Sequence, residues 1–216
     1  MKPLGKIKIH WSPNFSYALG LLATDGNLSS DGRHFDFTSN DLQQLENFMQ
    51  CLGIRVKVGY KISGYTGKMS PHIQFGDVTL YRFLQGIGFT PCKSKTIAKL
   101  GIPKKYFFDF LRGHLDGDGT FYSYWDPRWR SSFMFYTVFV SASKKHVEWI
   151  RATLYNLIGV RGHITKSVHN VTYHLKYAKK ESLRLLPKVY HDKSVICLLR
   201  KRDKIEKVLD SIGVVL

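Results

Sequence analysis

Two stretches of the chain carry the same pattern of apolar positions. From Asp41 to Ile54 the apolar side chains fall at Leu42, Leu45, Phe48, Met49 and Leu52 and stop at Gly53; from Lys144 to Val160 they fall at Val147, Ile150, Leu154 and Leu157 and stop at Gly159. Spacings of three and four place each set on one helix face, and the closing glycine predicts a left-handed cap. Alternation follows both helices. Ile54, Val56 and Val58 alternate with Arg55 and Lys57, then Ile73 and Phe75 with His72 and Gln74. In the later copy Val160, Gly162 and Ile164 alternate with Arg161, His163 and Thr165, then Val171, Tyr173, Leu175 and Tyr177 with Thr172, His174 and Lys176. Period two with one polar face predicts half-buried antiparallel strands. A further helix comes next in each copy, Val78–Gly86 and Lys180–Leu186. A last amphipathic segment, Lys201–Ile212, sets Ile205, Val208, Leu209 and Ile212 on one side and covers core at the C-terminal end.

The stretches that precede these patterns also match. ALGLLATDG spans Ala18–Gly26 and LRGHLDGDG spans Leu111–Gly119, with the same Gly-x-x-x-x-Asp-Gly spacing. Their aspartates, Asp25 and Asp118, stand 93 positions apart, and Lys93-Ser94 and Lys193-Ser194 stand 100 apart. The economical reading is an internal repeat of roughly 100 residues, each copy running helix, two strands, helix, two strands, helix. The predicted fold class is α+β, with halves at residues 1–104 and 105–216 and the boundary near Pro103, whose ring suits the residues before a helix start.

Gly20 and Thr24 are four apart, as are Gly113 and Gly117, so each pair of small residues shares a helix face. Two helices packed on such faces approach closely, and Asp25 and Asp118 then emerge side by side at the same end. Adjacent carboxylates are costly unless a cation or a proton sits between them. A hard divalent ion with oxygen ligands, Mg²⁺ or else Mn²⁺ or Ca²⁺, is the natural occupant, and it suits phosphodiester hydrolysis.

Charge strengthens this reading. The chain has 216 residues with 33 Lys plus Arg against 16 Asp plus Glu, a net +17. Residues 1–105 hold 14 basic and 6 acidic side chains and residues 106–216 hold 19 and 10, so both halves are basic. Such a field suits a nucleic-acid partner. The three scattered cysteines and nine scattered histidines have neither disulfide-framework nor zinc-site spacing. With no long apolar run and no signal-peptide core at the N-terminus, the expectation is a soluble, intracellular protein.

The two nine-residue motifs, and a repeat that covers nearly the whole chain, resemble the LAGLIDADG homing endonucleases in their single-chain, two-motif form. The second motif is the closer match, and the first has Ala23 and Thr24 where the family often has Asp and Ala. The resemblance implies two pseudo-symmetric αββαββα domains whose motif helices form the interface and whose four-stranded sheets make a DNA-binding saddle. It implies a monomer that makes metal-dependent double-strand breaks with short 3′ overhangs in a long asymmetric site, and a role in intron mobility. Asp25 and Asp118 would be metal ligands with the main-chain carbonyls of Thr24 and Gly117, and Lys93 and Lys193 would lie near the scissile phosphates. A polar residue that some members carry before the second helix maps to Ser39 and Ala142. Asp116 reads as structural. DNA contacts are expected from His34, Thr38, Arg55, Lys57, Lys61, His72 and Gln74 in the first half. In the second half they are expected from Arg161, His163, Lys166, His174 and Lys176, with Arg128 and Arg130 on a long hairpin tip that also carries Trp125 and Trp129. The alternative on the same fold is an intron maturase that binds intron RNA; a transcription regulator with a degenerate motif domain is a third reading.

Overall fold

The computed structural model describes residues 7–62, 67–129, 131–168 and 171–216. The chain runs α1 (Pro13–Asp25), β1 (Gly26–Leu28), β2 (His34–Thr38), α2 (Leu42–Leu52), β3 (Gly59–Ile62), β4 (Met69–Gly76) and α3 (Val78–Gly86). After a short 3₁₀ turn at Lys104–Tyr106 it runs α4 (Phe107–Asp116), β5 (Thr120–Trp125), β6 (Phe133–Ser141), α5 (Lys144–Ile158), β7 (His163–Lys166), β8 (Tyr173–Ala178), α6 (Lys179–Val189) and α7 (Leu199–Asp210). The strands form two antiparallel four-stranded sheets of identical topology, ordered β1-β2-β4-β3 and β5-β6-β8-β7. Sequence and structure therefore agree on an α+β fold built from a repeated unit. No helix among the described residues is long and apolar enough to cross a membrane.

Local signals explain the helix ends. Asp41 accepts a hydrogen bond from the Gln43 amide at the start of α2, and Ser143 from the His146 amide at the start of α5. Gly53 and Gly159 end those helices at φ 64° and 65°, in the left-handed region that favours glycine. Pro103 leads into the 3₁₀ turn ahead of α4, and α6 continues to Val189 through Pro187, three residues past the predicted end.

Two predicted strands are shorter than their alternation suggests. Residues 54–58 precede β3, and β7 begins only at His163. The β3–β4 ladder closes at the Gly59–His72 pair, so Ile54, Val56 and Val58 alternate because they pack on the core, without a paired strand. In the second copy Gly162, at φ 57°, turns the chain just before β7.

The helices α1 and α4 lie at the centre. Every residue of α1 from Phe15 to Ala23 is buried, as are nine of the residues of α4. Helix α1 shows no polar face between Phe15 and Ala23, and α4 buries its polar stripe, Asp109, Arg112 and Asp116, against partners from other elements. They cross backbone to backbone. A Cβ added at Gly20 would lie 2.1 Å from the Phe110 carbonyl oxygen, and one at Gly113 would lie 2.0 Å from the Tyr17 carbonyl oxygen. Beyond the crossing, Tyr17 donates to Asp116 at 2.8 Å and Asn47 donates to the Cys197 carbonyl at 2.9 Å.

No side chain fits at the crossing without separating the helices. Gly113→Ala should therefore cost about 3 kcal/mol or more, as overpacking against backbone does. Gly53→Ala, in open space at a left-handed position, should cost about 1 kcal/mol. Urea unfolding of the two variants checks the ordering; equal costs would contradict the close crossing.

Candidate metal and nucleic-acid site

Asp25 is the last residue of α1, and Asp118 follows the end of α4 by two residues. The crossing brings these ends together. A Cβ added at Gly117 would meet Thr24 Oγ1 at 2.0 Å and Asp25 Oδ2 at 2.8 Å, so the first acid rests against the residue that precedes the second. Asp25 is half-buried and Asp118 is exposed. Burial, reinforced by the negative charge of Asp118, raises the Asp25 carboxyl to about 6, against the hydrogen bonds it receives. Asp118 is shifted upward too, by partial enclosure, with Lys93 and Lys201 opposing.

The surroundings of the two acids differ. Gln44 on α2 donates its amide to Asp25 Oδ2 at 2.8 Å, and the Ser39 hydroxyl fixes that amide by donating to its Oε1 at 2.9 Å. The Thr24 hydroxyl lies 3.2 Å from the same carboxylate oxygen. In the second copy the position of Ser39 belongs to Ser141, because each hydroxyl accepts the amide two residues on, from Asp41 and from Ser143. The assignment to Ala142 is thereby corrected to its neighbour. The position of Gln44, third in its helix after the cap, belongs to His146, whose Nδ1 instead faces the Ala98 carbonyl at 2.7 Å while its ring stacks on His114. No hydrogen bond among the described residues reaches the Asp118 carboxylate.

Two lysines approach the pair. Lys93, only 3% exposed, donates to the Thr24 carbonyl at 3.3 Å. Burial lowers its amine to about 8, against the pull of Asp118 and Asp25. It sits in a loop that turns through Cys92 at φ 53°, a left-handed conformation costly for a non-glycine residue. The second lysine is Lys201 on α7, which lies 2.9 Å from the Gly117 carbonyl. Lys193, chosen from the sequence by its 100-residue offset, is exposed, and its side chain makes no hydrogen bond or ion pair among the described residues. Lys201 carried a readable signal. It precedes Ile205, Val208 and Ile212 by four, seven and eleven positions and so shares the apolar face of its helix, where a charge must find partners.

The strand registers sort the remaining expected contacts. In the first sheet His34, Thr38, Lys61, His72 and Gln74 share the face opposite the core, with Asp36 among them. Asp36 was missed from the sequence. It accepts from Lys61 at 2.6 Å and Thr38 at 2.8 Å and lies 2.9 Å from His72 Nδ1. Burial would raise its carboxyl, but these partners outweigh it and lower it. His34 is held in the same way by Asp31. Arg55 and Lys57 are exposed on the segment before β3.

In the second sheet His163, His174 and Lys176 share the outer face. Lys166 is paired with Tyr173 and follows the opposite parity at its strand end, so it leaves that face. Arg161 precedes β7 beside the face, its guanidinium 5.8 Å from the Tyr155 ring. Three stacked tyrosines there, Tyr122, Tyr124 and Tyr136, were also missed, since the hairpin reading does not fix the register that sets Tyr122 opposite Tyr136; those two have ring centroids 5.3 Å apart. Arg128 at the hairpin tip pairs with Asp126 and is otherwise exposed. Arg130 lies outside the described residues.

A hard divalent ion fits this donor set in part. Two mutually repelling carboxylates and main-chain oxygens are what Mg²⁺ or Mn²⁺ takes, with water completing the shell. No group of three or more His, Cys, Asp or Glu side chains gathers among the described residues, so the carboxylate pair is the core of any such site.

No protein-family model matches the sequence, and no curated protein matches it. Solved structures do. The chain is similar to meganuclease I-SmaMI bound to uncleaveable DNA, with TM-score 0.62 and 13% identity over 93% of this chain and 92% of that one. It is similar to the N-terminal LAGLIDADG domain of DUF199/WhiA, with TM-score 0.56 and 17% identity over 90% and 88%. It is also similar to I-DmoI in complex with DNA and Mn, with TM-score 0.50 and 16% identity over 83% and 94%. These likenesses establish the LAGLIDADG fold.

The raised carboxyl of Asp25 makes stability depend on pH in a stated direction. The folded chain keeps this proton at pH values where the unfolded chain has lost it, so stability is full below about pH 4 and falls as pH rises to about 6. Partial exposure reduces the effect to about 2 kcal/mol. In metal-free buffer Asp25→Asn should therefore be more stable than wild type at pH 7.5 by about that amount and equal to it near pH 4. Urea titrations at the two pH values measure this; equal stabilities at pH 7.5 would show that the carboxylate is not under electrostatic stress.

Proposed function

We propose that this chain is a site-specific DNA endonuclease of the homing type, a monomer whose halves, residues 1–104 and 105–216, each read part of a long asymmetric duplex. The single observation that carries the proposal is the Asp25–Asp118 pair, held together at the end of a helix crossing that excludes every side chain larger than hydrogen. A fold needs such an arrangement only if something between the acids offsets their repulsion. A divalent ion bound there would supply Lewis-acid stabilisation and a more acidic water.

The residues of the chain account for the rest. Gln44 holds Asp25 in one orientation, so its free oxygen points consistently. Lys93 keeps a positive charge beside both acids in a water-poor pocket, where it can stabilise charge developing on a phosphate oxygen. His72, Gln74, His163 and Lys176 share the outer faces of the sheets, which supports a role in reading groove edges, and the net charge of +17 favours the phosphate backbone as their neighbour. The neighbours I-SmaMI and I-DmoI are DNA complexes, which supports duplex DNA over intron RNA as the partner.

One observation favours a second reading, DNA binding without cutting: the Gly117 carbonyl, one of the oxygens expected to hold metal, is already engaged by Lys201. Selection of cleaved sites from a randomised duplex library with Mg²⁺ separates the two. Cleavage at one asymmetric consensus is expected. Asp25→Asn and Asp118→Asn should bind the selected duplex nearly as wild type does and cut it more than about a hundredfold more slowly, a loss of several kcal/mol of transition-state stabilisation. A consensus recovered by binding but never by cleavage would establish the second reading.

A further inference from the structure

The two motif helices end differently. At the end of α1 the Thr24 carbonyl meets a single ammonium, that of Lys93, at 3.3 Å. At the end of α4 one ammonium, that of Lys201, lies 2.7 Å from the carbonyl oxygens of Leu115, Asp116 and Gly119 and 2.9 Å from that of Gly117. Four acceptors surround three protons, so the group is held as an oxygen cage holds a cation. The last carbonyls of a helix lack amide partners and form its negative end, which gives the cage its charge. Carbonyl oxygens only accept, so four of them around one nitrogen call for the protonated ammonium.

The acid side repeats the asymmetry. Asp25 is bonded by Gln44, whereas Asp118 is exposed and His146 stands where its amide partner would be. Gly117 is the repeat equivalent of Thr24, so its carbonyl is the oxygen that a second, symmetry-related ion would need. To reach it a divalent ion would have to expel an ammonium from four oxygens.

Resting on the reading that Asp25 and Asp118 bind a divalent ion, we propose that Lys201 is a built-in cation occupying the second of two equivalent carbonyl positions. The chain then takes one divalent ion, on the Thr24 side, where its repeated sequence alone would offer two places. Lys201 is a positioning residue: it acts through the α4 carbonyls and the turn that carries Asp118.

Mn²⁺ binding to the full chain, counted by the electron paramagnetic resonance of free Mn²⁺, tests this without reference to activity. Wild type should bind one Mn²⁺ and Lys201→Met two. Lys93→Met, which removes the same charge without vacating the cage, should bind one. Two ions on wild type, or one on Lys201→Met, would overturn the proposal. If Asp25→Asn/Asp118→Asn binds Mn²⁺ as wild type does, the carboxylate pair is not a metal site, and the underlying reading fails instead. Should Lys201→Met not fold, ε-¹⁵N-lysine NMR of wild type decides. A slowly exchanging ammonium signal from Lys201 that stays unshifted under saturating Mg²⁺ supports the built-in cation, and its loss on adding Mg²⁺ refutes it.

Discussion

The structure depends on the contact between two helix backbones at Gly20 and Gly113. Because neither position carries a Cβ, the carbonyls of Phe110 and Tyr17 come as close as side-chain atoms normally would. Everything nearer the ends of the helices follows. Gly117 can pass beside Thr24, Asp25 comes to rest against Gly117, and Asp118 is delivered to the same patch of surface. The crossing also makes a common core, since α1 and α4 are buried against each other and each packs on the sheet of its own copy. Fold and site are thus two consequences of one steric allowance. A chain that kept both aspartates but lost either glycine would keep its acids and lose their meeting.

Bringing two carboxylates together stores unfavourable energy, and the surrounding residues show how it is contained. Gln44, the Thr24 hydroxyl and Lys201 act on the Asp25 side; Lys93 and Lys201 act on the Asp118 side. Apart from Thr24, which α1 itself supplies, they are placed by elements outside the motif helices: α2, the loop after α3, and α7. The balance is incomplete, as the elevated carboxyl of Asp25 shows. Structural ion pairs are usually closed systems in which each charge meets its opposite. Here the deficit lies beside the exposed Asp118, so the charge of the pair is open to solvent on one side, unlike that of a buried network.

Most of the fold was legible because its signals are local or periodic. The left-handed caps at Gly53 and Gly159, the alternation through β4 and β8, and the repeated Gly-x-x-x-x-Asp-Gly spacing each state their conformation in a few neighbouring residues. What escaped depends on contacts across the chain. Ile54, Val56 and Val58 alternate as a strand would, yet the ladder that decides the matter ends at Gly59, and its register is invisible in one sequence. Gln44 looked like an ordinary helix residue until α2 was laid against α1. Lys193 rests on a repeat offset, which assumes that both copies deploy the same loop; the lysine that reaches the Gly117 carbonyl comes instead from α7. The charge on the apolar face of α7 marked Lys201 all along, but only its partners reveal what that charge is for.

That substitution bears on what a repeat can and cannot preserve. Two copies in one chain share topology because strand order and helix crossing are set by backbone geometry that many sequences satisfy. They need not share chemistry, since each carboxylate is tuned by side chains from different elements. In the first copy an amide from α2 holds Asp25; in the second that position is a buried histidine stacked on His114, and a lysine from α7 fills the carbonyl ring at the end of α4. The sheets diverge in the same sense. One outer face is organised around Asp36 and its basic partners, the other around a stack of tyrosines with Arg161 and Lys176 nearby. Two unlike halves joined by a symmetric crossing are what a repeat within one chain allows: the backbone fixes where the two acids meet, and the surrounding residues are free to make the two sides unequal.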